Sequence, residues 1–418
     1  MSAESRDDAA LDNSCRVENV LDQLEVSLRS FKGSTFFPLH IGRTSAAPPV
    51  DFNEMIGSAL WAKAHEYSLP RGFTSLCAAV CEYQLKRFNF NVVPDQVQIT
   101  VGGTHALHVA LASVVAPGSE VVVLSPQWLF TCGVIRTCGA VPVEVPVFLE
   151  LSRNPDVDFI ALLEMAVSRR TRAVYFNSPN NPTGYSLSKL QLRQLASWCR
   201  HHGFWLLADN AYEEFDFSVD GFTNVATFPE VADLTLSVHT FSKSFSLAGF
   251  RVGYLIAPQS LNSDVRRCAL NSVHSVASAS QQAALLALRA APQFTNEQHR
   301  ASESARDLTE RLLVVPGPKV SGGFYKLLDL SALGAGGVLK FINQCIQSGV
   351  SLAPGAAFGK SCSQYARLCY MSVRRDDLLQ ALRIVNATYV HLLASVGNGR
   401  VADRLLRQSG DVSADAEL

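Results

Sequence analysis

Short apolar runs alternate with amphipathic stretches between about residues 97 and 258. One amphipathic stretch, 188–202, carries apolar residues at helical spacing and is followed by Gly203, a residue type that commonly ends helices. Strands that alternate with helices of this length predict a mostly parallel sheet with helices on both faces. The runs short enough to be buried strands are 97–101, 120–124, 173–176, 204–208, 234–238 and 252–257.

A pair of glycines follows the first of these runs. Gly102 and Gly103 precede Thr104, which is predicted to be the N-cap of a helix that ends at Pro117 and Gly118. Residues from about 300 onward show a less regular pattern, and we expect them to form a second, smaller domain.

Composition narrows the class of protein. The chain has 418 residues, of which 48% are hydrophobic and 17% charged, and its formal net charge is −1. A folded protein is expected, without a general basic surface for nucleic acid. The best apolar stretch, 106–124, is broken at 117–120, so no membrane span is expected. The start lacks the pattern of a signal or transit peptide, and ten dilute cysteines are typical of reduced thiols in a cytoplasmic enzyme.

Polar side chains cluster at the ends of four predicted strands. Ligands bind beyond the carboxyl ends of the strands in an open parallel sheet, so these clusters are expected to converge. The clusters are 102–104, 178–184 (SPNNPTG), 208–212 (ADNAY) and 240–243 (TFSK), the last followed by Arg251.

The residue types in these clusters point to one cofactor. A Gly-Gly-Thr turn at a helix N-terminus suits a phosphate, and Arg251 can neutralise its charge. Asp209 closes an apolar run and needs a cationic partner, whereas Lys243 can form a Schiff base once it loses its proton. Phosphate cradle, buried carboxylate and imine-forming lysine together predict a site for pyridoxal 5′-phosphate. Neither a Cys-x-x-Cys nor an H-E-x-x-H pattern is present, and no metal site is expected.

The same segments resemble, in the same order, those of the class I/II aminotransferase family of fold-type I pyridoxal-phosphate enzymes. SPNNPTG, DNAY and FSKSFSLAGFRVGY carry most of the resemblance, which extends from about residue 39 to 373. It implies an α/β fold with a mostly parallel seven-stranded sheet in a large cofactor-binding domain, and a smaller α+β domain. Further similar segments are 67–72, 125–128, 322–325, 354–359 and 366–369.

The resemblance also implies a domain organisation. Residues 50–295 would form the large domain, and 16–49 would combine with 296–395 in the small one. Residues 1–15 and 396–418 would be a flexible N-terminal extension and a flexible tail.

Catalytic roles follow from the resemblance residue by residue. Lys243 matches the Schiff-base lysine, which also moves a proton between the substrate and the cofactor. Asp209 matches the partner of the pyridine nitrogen. Asn181 and Tyr212 match residues that hydrogen-bond the cofactor's phenolic oxygen, and Asn181 is also assigned to the substrate site.

The remaining matched positions bind phosphate, ring or substrate. Tyr67 resembles a tyrosine that reaches the phosphate of the neighbouring subunit's cofactor, which implies a homodimer with shared active sites. Arg367 matches the arginine that holds the substrate α-carboxylate, and Gly42 is expected near the same group. The phosphate ligands would be Gly103, Thr104, Thr240 and Arg251, with Trp128 stacked on the pyridine ring.

Several positions depart from the family pattern. His105 stands where Gln, Glu or a small residue is common, and Asn210 replaces a frequent acidic residue. Cys77 replaces a frequent arginine, a change expected to affect helix packing. Arg43 and Arg71 could reach toward a substrate side chain, or could simply be exposed.

The leading hypothesis is an aminotransferase that moves the amino group of an α-amino acid to a 2-oxo acid. The alternative keeps the cofactor and the anchors but breaks other bonds: elimination, replacement, cyclisation or oxidation of an amino acid or an S-adenosylmethionine-like substrate. A transcription regulator with an aminotransferase-like domain would need a DNA-binding module before the resemblance, where only about 35 residues stand.

Overall fold

The structure is a computed structural model that describes residues 20–58 and 64–397. The extension predicted at 1–15 lies outside these residues, as does the tail beyond 397. Ten strands are present in this part of the chain. They are β1 Val97–Thr100, β2 Glu120–Leu124, β3 Val141–Val145, β4 Thr171–Asn177, β5 Trp205–Asp209, β6 Thr235–Thr240, β7 Gly253–Ile256, β8 Tyr325–Asp329, β9 Ala353–Pro354 and β10 Tyr365–Cys369.

Seven strands form one sheet in the order β1-β7-β6-β5-β4-β2-β3. Strand β7 runs antiparallel to both neighbours, and the other pairings are parallel. Every residue of β2 is buried, as expected for a strand covered on both faces. The α/β fold with a mostly parallel seven-stranded sheet is therefore confirmed.

Strand β3 was not predicted. It lies at the edge of the sheet, and four of its five residues are only partly buried. Its sequence, VPVEV, contains Pro142, which removes a ladder hydrogen bond and is tolerated at an edge. An edge strand is less buried than a central one, so its sequence can contain fewer apolar residues. The apolar pattern of β3 was therefore not recognised as a strand.

The helices cover both faces of this sheet and flank the smaller one. Residues 20–29 are helical, and the bounds of the other helices are Phe52–Gly57, Thr74–Phe88, Gly102–Val114, Thr131–Thr137, Val147–Arg153, Phe159–Glu164, Lys189–His202, Phe241–Ser244, Asn262–Val273, Ser278–Ala290, Gln293–Leu312, Gly337–Gln347 and Arg375–Ser395.

The capping signals in the sequence were correct for one helix and wrong for another. Ser188 caps Lys189–His202 through a reciprocal pair of hydrogen bonds with Gln191, and Gly203 ends that helix in the left-handed conformation. The prediction of Thr104 as an N-cap was wrong, because the helix begins at Gly102 after Val101. Thr104 therefore lies in the first turn, where its backbone N–H is one of the donors without a partner in the helix.

The C-terminal part of the chain is more regular than expected. Strands β8, β10 and β9 form an antiparallel sheet, and two helices of 20 and 21 residues pack beside it. The apolar core around this sheet also contains Leu24, Phe37 and Leu39. Its pattern was hard to read because long polar faces separate the apolar positions of helix Gln293–Leu312.

No helix within residues 20–58 and 64–397 is both long enough and apolar enough to cross a membrane.

Candidate active site

Three adjacent parallel strands end at one cleft. Asn177, Asp209 and Thr240 are the last residues of β4, β5 and β6, and Asn177 lies opposite Asp209 in the sheet register. The cleft encloses about 690 Å³ that no protein atom fills, including the part open to solvent. The residues predicted for the site that line it are Gly103, Thr104, Trp128, Asn181, Asp209, Tyr212, Thr240, Lys243 and Arg251.

Asp209 is a buried carboxylate held from two sides. The hydroxyl of Tyr175 donates to Oδ2 at 2.8 Å, and the backbone N–H of Ala211 donates to Oδ1 at 3.1 Å. Burial raises the pKa of Asp209, and these two hydrogen bonds oppose the rise. The carboxylate is therefore oriented firmly, with its charge stabilised by hydrogen bonds.

Lys243 lies in the short helix Phe241–Ser244, directly after β6. Burial, reinforced by the charges of Arg367 and Arg251, lowers the pKa of Lys243 to about 8 although Cys369 and Asp209 act in the opposite direction. Its Nζ donates to the carbonyl oxygen of Gly42 at 2.5 Å. An amine with this pKa is neutral in a useful fraction of molecules near pH 7, as a nucleophile or a base must be.

The opposite end of the cleft gathers donors for an anion. Gly103 and Thr104 stand in the first turn of helix Gly102–Val114, beside the hydroxyl of Thr240 and the exposed side chain of Arg251. Gly102 has a φ of +74°, and a Cβ there would lie 2.8 Å from Nη2 of Arg251. A helix N-terminus with an arginine against a glycine suits a phosphate.

Arg367 is a buried cation whose hydrogen-bond partners carry no charge. Its Nη1 donates to Oδ1 of Asn181 at 2.9 Å and its Nη2 to the carbonyl oxygen of His40 at 2.6 Å, while Nε has no partner. The guanidinium also lies over the rings of Tyr325 and Phe358, 4.4 and 4.7 Å from their centres. No carboxylate of the described residues forms an ion pair with it.

Asn181 and Tyr212 are joined by a hydrogen bond. The amide nitrogen Nδ2 of Asn181 lies 3.3 Å from the hydroxyl of Tyr212. A second hydroxyl, that of Tyr325, lies 2.8 Å from that of Tyr212. Gly42 belongs to the same neighbourhood, because a Cβ there would lie 2.4 Å from the hydroxyl of Tyr325.

Other predicted positions lie outside the cleft lining. Tyr67 is 89% exposed, and its ring lies 5.2 Å from that of His274. Arg71 forms an ion pair with Asp95, whereas Arg43 is exposed.

Two departures from the family pattern have structural explanations. His105 accepts from the N–H of Val101 at 3.1 Å and contacts Ser272, so it supports the start of the glycine-led helix. Cys77 is buried in an apolar cluster, as expected for a packing role.

Sequence reasoning missed Tyr175, Asn177 and Tyr325. Tyr175 lies inside a strand and reads as core, and Asn177 directly precedes the conspicuous SPNNPTG segment. Tyr325 belongs to a segment already noticed, 322–325, but its contact with Tyr212 spans 113 residues of sequence. Only tertiary structure brings these hydroxyls together.

Comparison with known proteins adds a separate line of observation. The sequence model described as aminotransferase class I and II matches residues 58–385. The aspartate/prephenate aminotransferase of Thermus thermophilus is 31% identical over 360 residues, which cover 84% of this chain and 90% of the relative. The arginine–pyruvate transaminase of Pseudomonas aeruginosa is 29% identical over 341 residues, which cover 81% and 86%.

The fold has matching solved structures. A single mutant of Thermus thermophilus aspartate aminotransferase superimposes with a TM-score of 0.79 at 29% sequence identity. The match covers 89% of this chain and 96% of that structure.

Proposed function

The chain belongs to the class I and II aminotransferase family, and from that membership we propose how its residues divide the work of amino transfer. Members of the family use pyridoxal 5′-phosphate, and the protein is an enzyme that transfers the amino group of an amino acid to a 2-oxo acid. What we propose is the role of each residue, the carboxylate site, the assembly and the cellular location.

Arg367 is the observation that carries the substrate assignment. A buried guanidinium without an anionic partner is costly unless a ligand supplies the missing charge. Its unpartnered Nε, together with Nη1 and Nη2 on weaker carbonyl and amide partners, would bind the α-carboxylate of an amino acid. Gly42 lies beside this site, where a side chain would collide with Tyr325.

The cleft fits pyridoxal 5′-phosphate at each of its functional groups. Gly103, Thr104, Thr240 and Arg251 would hold the phosphate, and Trp128 would cover one ring face. Asp209 would keep a proton at the pyridine nitrogen, since its carboxylate is held in place by Tyr175 and the Ala211 N–H. When bound, the cofactor supplies an electron sink for the bond broken at the substrate Cα.

Lys243 would attach the cofactor and then move the proton at the substrate Cα. Its Nζ has a lowered pKa and lies in the same cleft as Asp209. Asn181 and Tyr212 would hydrogen-bond the cofactor's phenolic oxygen, because the amide and the hydroxyl are already side by side. These groups position the reacting atoms and leave the electron redistribution to the cofactor.

The enzyme would work as a homodimer. Tyr67 is exposed, and the exposed side chains of Leu69 and Leu270 line one groove. Burying such residues against a second copy would bring the exposed Tyr67 into the neighbouring site. A cytoplasmic location would keep the nine described cysteines, all unpaired, in the thiol form.

The test is transfer between defined partners. Purified protein with pyridoxal 5′-phosphate is offered single amino acids, including aspartate and arginine, with pyruvate or 2-oxoglutarate, and the new amino acid is measured by mass spectrometry. Wild type is expected to form it, Lys243→Ala to form none, and the exposed-site control Lys340→Ala to behave as wild type. Arg367→Leu is expected to raise KM about tenfold or more, since a charged hydrogen-bonded pair is lost.

Two results would contradict the proposal. Release of ammonia without a new amino acid would indicate an eliminating enzyme. An unchanged KM in Arg367→Leu would place the substrate carboxylate elsewhere.

A further inference from the structure

Four side chains form a closed ring of contacts beside the cleft. Arg367 donates to Asn181, Asn181 donates to the Tyr212 hydroxyl, and the Tyr212 and Tyr325 hydroxyls share a hydrogen bond. The ring of Tyr325 then lies under the guanidinium of Arg367, 4.4 Å from it. Tyr325 is thus the one member that touches both Tyr212 and Arg367 without lining the cleft itself.

Tyr325 is held in a fixed place. It is the first residue of β8, paired with Cys369 of β10, and it is 1% exposed. Its ring packs against Tyr212 and Phe324 at 5.4 and 4.9 Å. Gly42 is required opposite its hydroxyl, where a Cβ would come within 2.4 Å. A hydroxyl so confined has little choice of partner.

Counting protons assigns a direction to the shared hydrogen bond. A tyrosine hydroxyl has one proton to donate and can accept through its oxygen. If Tyr212 donates to the cofactor's phenolic oxygen, its own proton is used. The proton between the two tyrosines must then come from Tyr325, and Tyr212 accepts from both Asn181 and Tyr325.

We propose that Tyr325 is a positioning residue that donates to Tyr212 and thereby strengthens the hydrogen bond of Tyr212 to the cofactor, while its ring supports Arg367. Hydrogen bonds in a chain polarise one another, so an oxygen that accepts two bonds makes its own O–H a better donor. The hydroxyl of Tyr325 therefore affects the hydrogen bond between Tyr212 and the cofactor. The ring of Tyr325 affects the carboxylate site at Arg367.

Two substitutions separate these effects. Tyr325→Phe keeps the ring and removes the hydroxyl. A weaker donor to the phenolic oxygen leaves the Lys243–cofactor linkage more basic, so the pH midpoint of the bound cofactor's visible absorbance is expected to rise by roughly 0.5–1 unit. Tyr325→Leu also removes the ring, and is expected to weaken binding of an unreactive carboxylate such as maleate severalfold more than Tyr325→Phe does.

Controls keep the inference separate from the proposed function on which it rests. Tyr370→Phe removes another buried hydroxyl, bonded to the carbonyl oxygen of Gly323, and is expected to leave the midpoint unchanged. Tyr212→Phe is the positive reference, with a midpoint raised at least as far as in Tyr325→Phe. Wild type that binds no cofactor would sink the proposed function itself. A normal wild type and a shifted Tyr212→Phe, with an unshifted or lowered midpoint in Tyr325→Phe, would overturn only the role of Tyr325.

Discussion

At the scale of single residues, burial shifts the pKa values of the reactive groups. Burial is the largest influence on both Asp209 and Lys243, raising the pKa of the carboxyl and lowering that of the amine. Desolvation disfavours charge in both groups, and at Asp209 the hydrogen bonds from Tyr175 and the Ala211 N–H oppose that effect. The Asp209 carboxylate is thus oriented for its proposed pyridine-nitrogen partner, and the Lys243 amine is neutral often enough to react.

The lowered pKa of Lys243 predicts the pH dependence of cofactor uptake. Only the neutral amine of Lys243 attacks an aldehyde, and its pKa is about 8 where an ordinary lysine has 10.5. Well below pH 8 the neutral fraction rises about tenfold per pH unit, so the rate at which apoprotein binds pyridoxal 5′-phosphate should climb with pH and level off above about pH 8. Stopped-flow absorbance measures it, with N-acetyl-lysine as the unburied reference. A plateau reached only near pH 10 would refute the lowered pKa.

At the scale of elements, the turn from β1 into helix Gly102–Val114 shapes the phosphate end of the cleft. A side chain at position 102 would be unfavourable for two reasons: the φ of Gly102 is +74°, and Arg251 occupies the space beside it. Gly118, at a turn after the same helix, has a similar φ of +81° but nothing within 4 Å of a Cβ. Substituting each of the two glycines therefore distinguishes the effect of backbone strain from the effect of displacing Arg251.

Alanine at each glycine tests that separation. Both Gly102→Ala and Gly118→Ala should lower the free energy of unfolding by roughly 1–2 kcal/mol, because both force a side chain into the left-handed region. Only Gly102→Ala should displace Arg251 and weaken cofactor binding, by about tenfold or more if one charged contact is lost. Urea unfolding of the apoprotein and equilibrium dialysis of the cofactor measure the two effects. Equal cofactor affinities in both variants would contradict the role given to the turn.

At the scale of the whole molecule, several large apolar side chains of the single chain face solvent. Tyr67, Leu69 and Ile56 are each more than half exposed, and Leu270 and Phe52 are more than a third exposed. A second copy would bury these side chains and would place Tyr67 where the proposed function needs it.

Sedimentation equilibrium is therefore expected to give about twice the chain mass of 45.4 kDa. Tyr67→Phe should still dimerise but release the cofactor more readily, by about two- to tenfold, since one hydrogen bond to the phosphate is lost. Tyr389→Phe, in the core of the smaller sheet, is the matched control and should retain the cofactor as wild type does. A monomer that is fully active at the same concentration would exclude shared active sites.

The order along the chain of the strands in the large sheet could be predicted because β2, β4 and β5 each contain a continuous apolar run. The prediction at 120–124 matches β2 in full, and that at 204–208 differs from β5 by one residue. The edge strand β3 and the helices after residue 292 were missed or underrated, since their apolar residues are spaced out by polar ones. The roles of individual site residues remain predictions until the substitutions are made.

The sequence by itself determined the residue types of the chemistry and, through the strand-end rule, that they meet: Lys243, Asp209 and Arg251 line one cleft as expected. Tertiary structure alone decided their electrostatic state, because desolvation depends on every atom packed around a group. It also decided which distant side chains complete the site. Tyr175 and Tyr325 look like ordinary core tyrosines along the chain, and become hydrogen-bond partners of Asp209 and Tyr212 only in the folded structure.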